Sequence, residues 1–501
     1  MSDVHATPPI PFTNDFAREL PEAGIAWQPL AAPQPSWLHF NAPLALELGL
    51  DAERLGGADG LAWFSGQVLP PGAQPVAQAY AGHQFGGFSP QLGDGRALLL
   101  GDALSPSGRR YDLAFKGSGP TPFARRGDGK AAVAPVLREL VMGEALHALG
   151  VPSTRVLAAV RTGDWVRRER TLPGAVLTRV AASHLRVGSF EFFAARQDRG
   201  MLSKLLAHAL RRHDADLIGQ GSEAELVLAW LDRVQQRQAR LVAQWLGVGF
   251  IHGVMNTDNM TISGETIDFG PCAMLEAYEP GAVFSSIDER GRYAYGRQPS
   301  IAQWNLARLA ESLLPLLGED SERAIAEATA VIDRFPAQFG AAWHQVFAAK
   351  LGLRRLPEDD ASLAEDFLAL LEAAEADFTL GFHALAELVP RRDGTERVHP
   401  LLLDAPAWQT WQQRWHVALL RAGESVEQQR ERLLSANPWL IPRNHQVEAV
   451  LAAASDASDL APLARLLAAV REPYSQRADR ADLAAPAARE FTARYRTFCG
   501  T

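Results

Sequence analysis

Several residues in the first 270 positions have types and spacing suited to phosphate chemistry. In chain order they are a glycine turn at Gly93 and Gly95, Lys116, Glu139, the loop His252–Asn259 and the Asp-Phe-Gly run Asp268–Gly270. Phosphoryl and nucleotidyl transfer need positive charge on the phosphates, hard oxygen ligands for a metal ion and flexible backbone beside the nucleotide. The set supplies all three, in the order that protein kinases use.

One position of the loop departs from the protein-kinase pattern. Aligning "HGVMNTDN" with the kinase catalytic loop puts Val254 where kinases keep their catalytic aspartate. A valine side chain cannot accept the proton of a substrate hydroxyl. Asp258, beside Asn259, is the only carboxylate in this loop. Two interpretations stay open: the site is not that of a conventional kinase, or its base lies elsewhere.

Strands and one helix are predicted to position these residues. Strand-like apolar runs cover 97–100, 111–115, 154–161 and 174–181. Lys116 stands at the end of the second run. Apolar residues recur at helical spacing from Leu137 to Leu149, which places Glu139 on a helix ending at Gly150. A short hairpin turning at 263–265 is expected between Asn259 and Asp268.

The second half of the chain differs in its pattern of apolar residues. Helices are predicted to dominate 200–246, and amphipathic helices follow at 301–317, 365–378, near 405–421 and near 446–470. Their apolar stripes are best explained by core packing. The sequence therefore predicts a β-rich first part and a helical second part.

Four long blocks of the sequence resemble the selenoprotein O family. They are "AGHQFGGFSPQLGDGRALLLGD", "DLAFKGSGPTPFARRGDGKAA", "HGVMNTDNMTISGETIDFGP" and the ending "YRTFCGT". The blocks extend from about Gly82 to the end of the chain and are far more specific than an isolated Asp-Phe-Gly run. Members of this family are pseudokinases that transfer AMP from ATP to protein hydroxyl groups, so the resemblance implies that activity here.

The resemblance implies a role for each matching position. Asp258 is implied to be the proton acceptor and Glu139 the salt-bridge partner of Lys116. Nucleotide contacts are implied for Gly93, Gly95, Arg96, Lys116, Asp128, Gly129, Arg179, Arg186 and Asp268. Asn259 and Asp268 are implied to hold Mg²⁺, or Mn²⁺ in its place. ATP in this family lies flipped relative to kinases, and Arg179 and Arg186 would then clamp the leaving pyrophosphate.

The resemblance also implies the fold. It is an α+β, protein-kinase-like bilobal fold, with a small β-rich lobe, a larger helical lobe and mainly helical extensions at both ends. We expect an N-terminal extension at 1–80, the small lobe at 81–182 and the larger lobe with the catalytic loop at 183–320. A helical C-terminal region at 321–501 would end in a cysteine-containing tail.

Some of these residues have simpler explanations. Arg179 and Arg186 could form surface ion pairs, and Glu139 could be a solvated helix residue. Asp128 could be a turn residue or the N-cap of the following helix. His252 is expected to be structural, bonded to backbone, and is left out of the catalytic set.

The leading hypothesis is a metal-dependent protein adenylyltransferase that moves AMP from ATP to a Ser, Thr or Tyr hydroxyl. Three alternatives stay open: a kinase that transfers the γ-phosphoryl group, the same fold using UTP, and a non-catalytic nucleotide-binding scaffold. Retention of Lys116, Asn259 and Asp268 argues against the scaffold. The named residues mostly contact phosphates, so they do not determine the base. The sequence does not define the oligomeric state, and a monomer is the default expectation.

Composition limits the possible partners. The chain has 501 residues, of which 47% are hydrophobic and 21% charged, which is ordinary for a globular protein and excludes a fibrous or wholly disordered chain. A net charge of −9 argues against a general nucleic-acid binder. The first residues do not resemble a signal peptide, and no apolar run approaches the length of a membrane span. We expect a cytoplasmic protein with no nucleic-acid or membrane partner.

The only cysteines are Cys272 and Cys499, which excludes a disulfide-rich scaffold and a Cys-rich zinc module. Cys272 lies two residues beyond Gly270, and Cys499 lies in the final segment, where cysteine rather than selenocysteine is present. We predict a reversible disulfide between them that pins the tail near the active site and makes activity redox-sensitive. The alternative is a buried Cys272 and an exposed, free Cys499.

Overall fold

One antiparallel sheet dominates the first part of the chain. The computed structural model describes residues 9–389 and 406–498. The strands are β1 (Gly24–Ala26), β2 (Ser36–Phe40), β3 (Val76–Gln78), β4 (Gly82–Gln84), β5 (Gly87–Ser89), β6 (Ala97–Leu104), β7 (Arg110–Lys116), β8 (Ala131–Ala132), β9 (Arg155–Arg167), β10 (Thr171–Ala181), β11 (Phe250–Ile251) and β12 (Ala273–Met274). The main sheet has the order β1-β3-β6-β7-β10-β9-β2, with β8 beside β10. β4 pairs with β5, and β11 with β12, as separate two-stranded ribbons.

Helices make up most of the rest. They are α1 (Asp15–Glu19), α2 (Ala42–Glu47), α3 (Ala52–Gly56), α4 (Ala58–Phe64), α5 (Val133–Ala148), α6 (Val187–Ala194), α7 (Arg199–His213), α8 (Glu223–Val248), α9 (Gln298–Leu317), α10 (Ser321–Ile332), α11 (Phe335–Lys350), α12 (Leu363–Ala373), α13 (Phe378–Ala384), α14 (Pro406–Arg421), α15 (Val426–Ala436), α16 (Asn444–Asp456), α17 (Ala461–Val470), α18 (Ala481–Ala484) and α19 (Arg489–Arg494). The sheet-rich first part and helical second part predicted from the sequence are confirmed. Within the two described ranges, no helix is both long and apolar enough to cross a membrane.

The first 80 residues supply both edges of the main sheet. β1 pairs with β3 at one edge, and β2 pairs with β9 at the other. The sequence predicts a mainly helical extension, and the four short helices α1 to α4 are present. Both edge strands are short, three and five residues long, which limits the unpaired backbone at the sheet edges.

Helix α5 confirms the predicted apolar stripe. The apolar positions from Leu137 to Ala145 are almost fully buried, and α5 packs against β9 and β10. The chain leaves the helix at Gly150, whose φ of 77° is the left-handed conformation that ends many helices. Glu139 is therefore held on a rigid element directly beneath the sheet.

The hairpin expected at 263–265 is a turn without paired strands. Thr266 instead bridges to Ser153, and Thr261 bridges to Arg186. The N–H of Thr266 donates to Pro152 O at 2.9 Å, and its carbonyl accepts from Thr154 N at 3.0 Å. Because the preceding part of the chain uses these backbone groups, they are not available to a local hairpin ladder.

Two predicted helices of the second part end earlier than expected. The run 365–378 stops at Ala373, because Glu375 adopts a φ of 47° and Asp377 caps the next helix. The run 446–470 is divided into α16 and α17 around Ser458, which has a φ of 55°. Helices α11 to α15 contribute to a separate apolar core that includes Trp411 and Trp415.

Candidate active site

Four charged side chains meet beneath the main sheet. Lys116 ends β7, and Arg179 lies diagonally opposite on β10, since Lys116 pairs with Leu177. Lys116 Nζ lies 2.8 Å from Glu139 Oε2 and 2.7 Å from Asp268 Oδ1. Arg179 Nε donates to Glu139 Oε1 at 2.6 Å, and its Nη2 donates to Asp268 Oδ1 at 2.7 Å. Each cation therefore bridges both carboxylates.

Arg186 extends this cluster to the loop His252–Asn259. Its Nη1 lies 3.5 Å from Asp268 Oδ2 and donates to the backbone oxygen of Asp258 at 2.9 Å. Its guanidinium also stands 4.5 Å from the ring centroid of Tyr80. Arg179 and Arg186 are each only 3% exposed, so the alternative that they form surface ion pairs is wrong.

Charge pairing keeps the carboxylates of Asp268 and Glu139 ionised. Burial by itself would raise the pKa of Asp268, but Lys116, Arg179 and Arg186 hold it well below its ordinary value. Glu139 shows the same balance, with Arg179 and Lys116 lowering its pKa against the effect of burial. Glu139 is 3% exposed, which excludes the alternative of a solvated helix residue.

Asp258 has a different environment from Asp268. It is buried, and burial raises its pKa to about 6 despite the nearby charge of Arg186. Gln84 Nε2 donates to its Oδ2 at 3.3 Å. Its Oδ1 is buried and has no hydrogen-bond partner among the described residues. An unpartnered carboxylate oxygen is poised to accept a proton or a hydrogen bond.

Asn259 lies in a short 3-10 turn next to Asp258. Its Nδ2 donates to Val254 O at 3.1 Å, which leaves the amide oxygen for another partner. Amide and carboxylate oxygens are the ligands that Mg²⁺ prefers, and Mg²⁺ bound with nucleotides needs only one or two protein ligands. Asn259 and Asp268 fit that requirement, although the described ranges contain no cluster of three or more acidic, His or Cys ligands.

The glycine turn closes one side of the site. Gly93 has a φ of 69°, and a Cβ there would lie 2.3 Å from the Phe123 ring. A Cβ on Gly95 would approach Phe123 O to 3.0 Å. Arg96 follows the turn, and its carbonyl accepts from Gly117 N at 2.7 Å, one residue after Lys116. The turn is thus fastened next to the end of β7, with no room for side chains.

Asp128 is a turn residue in this structure. Its Oδ1 accepts from Lys130 N at 3.0 Å, and it forms a two-pronged pair with Arg168. It does not cap α5, whose N-cap is Ala132. Gly129 has a φ of 63° and lies against Gly119, where a Cβ would be 2.2 Å from backbone. The implied nucleotide contacts of Asp128 and Gly129 stay predictions.

His252 is held by backbone groups, as expected. Its Nε2 lies 2.8 Å from Ile267 O, and its ring is completely buried. It therefore supports the Asp268 segment from behind. Val254, at the position of the kinase aspartate, is also buried.

The ribbon β4–β5 contacts Asp258, a role that was not predicted from the sequence. A Cβ on Gly82 would lie 2.7 Å from Asp258 Oδ1, so only glycine leaves room for this carboxylate. Gln84 is the residue that holds Asp258 Oδ2. The available signal was the "AGHQFGG" run, in which glycines flank polar residues.

Cys272 is completely buried, and burial raises the pKa of its thiol to about 12. Its thiol donates to Phe269 O at 3.1 Å. Cys499 lies outside the described residues, so their pairing stays a prediction. Thr497 is described, and its hydroxyl donates to Pro271 O at 2.7 Å, immediately before Cys272.

Comparison with known proteins places the chain in a family. The family model described as Protein adenylyltransferase SelO matches residues 13–471. The chain therefore belongs to the SelO family, and the resemblance seen in the sequence is confirmed. A protein nucleotidyltransferase YdiU of Cereibacter sphaeroides is 54% identical over 491 residues, covering 98% of this chain and 99% of that protein.

Two other relatives carry the same name. The protein nucleotidyltransferase YdiU of Methylorubrum extorquens is 52% identical over 498 residues, covering 98% of this chain and 99% of that protein. That of Chromobacterium violaceum is 50% identical over 483 residues, covering 96% of this chain and all of that protein. The likeness extends over both the sheet and the helical part.

Proposed function

We propose that this protein transfers AMP from ATP to hydroxyl groups of proteins, on a bilobal fold of the protein-kinase type. Family membership and the names of its relatives support nucleotidyl transfer to proteins. Residues 81–182 would form the small lobe, and 183–320 the larger lobe with the catalytic loop. Residues 1–80 and 321–501 would be extensions of that core.

The observation that carries the proposal is a surplus of cations beside an unpartnered carboxylate oxygen. Among the described residues, the cations Lys116, Arg179 and Arg186 form ion pairs with two carboxylates. These carboxylates are Glu139 and Asp268. Three cations around two carboxylates favour the binding of a polyphosphate. Asp258 Oδ1 lies at the edge of the same cluster, because Arg186 contacts both Asp268 and the Asp258 backbone.

The roles follow from this arrangement. The acceptor hydroxyl gives its proton to Asp258 as its oxygen forms a bond to the α-phosphorus of ATP. The bond between the α-phosphorus and the bridging oxygen breaks, and pyrophosphate leaves with that electron pair. Lys116, Arg179 and Arg186 neutralise the charge that gathers on pyrophosphate. Catalysis then consists mainly of positioning and electrostatic stabilisation.

Asn259 and Asp268 would hold Mg²⁺, or Mn²⁺, with the phosphates supplying further oxygen ligands. A metal ion held there would supply additional positive charge next to the phosphates. Asp268 is engaged by three cations. The phosphates of ATP would compete with Asp268 for part of this positive charge.

The tail would make the activity sensitive to oxidation. Thr497, two residues before Cys499, holds the final segment against Pro271. Pro271 immediately precedes Cys272. A disulfide between these cysteines would fix the segment that follows Asp268. The buried, protonated thiol of Cys272 implies that this segment must open before oxidation.

Labelled nucleotides test the proposed reaction. The protein is incubated with ATP labelled at the α- or the γ-phosphate, and with α-labelled UTP, and protein-bound label is measured. We expect label from α-labelled ATP only. Label from γ-labelled ATP alone would show a conventional kinase, and label from UTP would show a different nucleotide preference. Binding of ATP with no transfer from any of the three would favour the scaffold.

Asp258→Asn tests the assigned proton acceptor. Removal of a general base slows a reaction about 100-fold or more. We expect transfer from α-labelled ATP to fall by at least that factor, while ATP still binds in calorimetry. The matched control is Asp216→Asn, which changes an exposed aspartate paired with Arg233. Equal transfer rates in the two variants would contradict the assignment.

A further inference from the structure

An enzyme that modifies proteins must seat part of its acceptor beside the reacting groups. We propose that the ribbon β4–β5, with Arg292 and Trp304, is the docking surface for the acceptor polypeptide. This acceptor platform would prefer a segment that carries an apolar and an acidic side chain near the modified hydroxyl. The inference rests on the proposed function, in which Asp258 receives the proton of that hydroxyl.

The inner side of the ribbon is fastened to the catalytic loop. His83 N donates to Thr257 Oγ1 at 2.7 Å, and Gln84 Nε2 donates to Asp258 Oδ2 at 3.3 Å. Phe85 N donates to Asn256 Oδ1 at 3.1 Å. Three successive residues of the ribbon thus contact three successive residues of the loop. A polypeptide lying on the ribbon would be held at a fixed distance from Asp258.

The outer side of the ribbon is apolar and exposed. Phe85 is 40% exposed and Phe88 is 44% exposed, on either side of the Gly86–Gly87 tip. Large exposed aromatic side chains next to a site of protein modification are typical of an interaction surface. Phe85 adopts a φ of 51°, which turns the chain at the tip.

The aromatic rings of the platform are supported from below. The His83 ring stands 4.9 Å from Phe88 and 5.3 Å from Trp304, centroid to centroid. The Phe85 ring lies 5.2 Å from that of Tyr293, whose hydroxyl donates to Asn256 Oδ1 at 2.6 Å. Rings held in place before binding lose little conformational entropy when a partner docks.

Arg292 supplies an unpaired positive charge at the same place. Its guanidinium lies 4.9 Å from the Trp304 ring centroid, and its Cζ would be 3.8 Å from a Cβ on Gly86. Its Nε is buried and has no hydrogen-bond partner, and no carboxylate of the described residues forms an ion pair with it. The neighbouring Arg308, over the same Trp304 ring, is paired with Glu311 at 2.6 Å. An acidic side chain of the acceptor would form the corresponding ion pair with Arg292.

Matched peptides test the platform. The reference peptide contains one Ser, one Thr and one Tyr, with a leucine and two glutamates beside them. In the second peptide the leucine is alanine, and in the third the glutamates are lysines. Transfer of label from α-labelled ATP is measured against peptide concentration. We expect the wild-type protein to have a KM about tenfold lower for the reference peptide than for either of the others.

Variants test whether Phe88 determines the preference for leucine and Arg292 the preference for glutamate. Phe88→Ala should raise the KM for the reference peptide about tenfold and abolish the preference for leucine, while calorimetry shows ATP affinity within twofold of wild type. Arg292→Glu should reverse the charge preference, so that the lysine peptide becomes the better acceptor. A gain of function by charge reversal cannot come from misfolding. Trp165→Ala, which removes an exposed aromatic on the separate β9–β10 hairpin, should behave as wild type.

Failure of the acceptor platform can be distinguished from failure of the proposed function. Equal labelling of the three peptides, self-labelling without peptide labelling, or an unchanged charge preference in Arg292→Glu would overturn the platform while leaving AMP transfer intact. Absence of any transfer from α-labelled ATP would overturn the proposed function and the platform together.

Discussion

Two clusters of cationic and carboxylate side chains lie in the two parts of this protein, and they differ in their charge balance. In the first, Lys116, Arg179 and Arg186 surround Glu139 and Asp268. In the second, a single arginine, Arg443, contacts Glu276 at 2.8 Å and Asp377 at 2.6 Å. The first has more cations than carboxylates, and the second has fewer.

Solvent access separates the clusters further. The Asp268 side chain is 23% exposed, whereas that of Arg443 is 0% exposed. Arg443 Nε also donates to Ala484 O at 3.2 Å, so this residue ties together distant segments of the helical part. A closed cluster of this kind has a structural role. An open cluster with surplus positive charge can bind an anionic ligand.

The largest effect is expected from Asp268→Asn. This change removes a negative charge from the open cluster and weakens the proposed metal site, so AMP transfer should fall by about 1,000-fold, equivalent to about 4 kcal/mol. The measurement is the rate of transfer from α-labelled ATP. Glu276→Gln, in the closed cluster, is the control and should keep the wild-type rate per folded molecule. Loss of activity in both variants would remove the distinction between the clusters.

The next effect is expected from Arg443→Leu. It leaves Glu276 and Asp377 buried without their cation, so the free energy of unfolding should fall by about 3 kcal/mol. Urea denaturation measures this change. Transfer per folded molecule should stay at the wild-type value. A stable variant with impaired transfer would show instead that the closed cluster acts on the reaction.

Lys350 sharpens the comparison, because it is a buried amine that pairs with no carboxylate of residues 9–389 and 406–498. Its Nζ donates to Asn437 Oδ1 at 2.9 Å, and burial lowers its pKa to about 7. The unfolded chain therefore holds this proton to higher pH than the folded protein does. Stability should rise with pH above about 7, by up to about 1.4 kcal/mol per pH unit.

Urea denaturation between pH 7 and pH 9 tests this dependence. In Lys350→Met the gain of stability over this range should disappear, because no buried amine remains to titrate. An identical slope in the variant and the wild type would show that Lys350 keeps its ordinary pKa.

The smallest effect is expected at an exposed pair. Arg465 and Asp482 form two contacts of 2.6 Å, with side chains 49% and 60% exposed. Water and salt screen such pairs, so Asp482→Ala should change the free energy of unfolding by less than about 1 kcal/mol. A change as large as that of Arg443→Leu would show that burial is not what distinguishes the clusters.

Local patterns predicted the elements that carry the open cluster. The strand ending at Lys116 and the helix carrying Glu139 follow from apolar runs and periodicity, and both are present. The pairing of Arg179 with both carboxylates depends on the register of its strand and on a contact with Asp268, which lies 89 residues away along the chain. Local sequence patterns carry no information about either. Lys116, Glu139 and Asp268 were identified by residue type and order along the chain. Arg179 and Arg186 were identified by resemblance, and the contacts of all five by the structure.

Contacts between distant segments also explain what the sequence analysis missed. Gln84 reaches Asp258 across 174 residues, and no signal in either segment indicates the other. The hairpin expected at 263–265 failed because Thr266 bonds to the segment around Pro152. The closed cluster was not predicted, since Glu276, Asp377 and Arg443 belong to three separate segments.

Intact-mass spectrometry after incubation with Mg²⁺ and ATP tests the central claim most directly. The samples are the wild-type protein and Asp268→Asn, each with the glutamate-containing reference peptide, and the masses of protein and peptide are compared with ATP-free controls. A peptide that gains the mass of one AMP group with the wild-type protein, and none with Asp268→Asn, is the predicted result. A gain of one phosphate group, or the same gain with both proteins, would contradict the account.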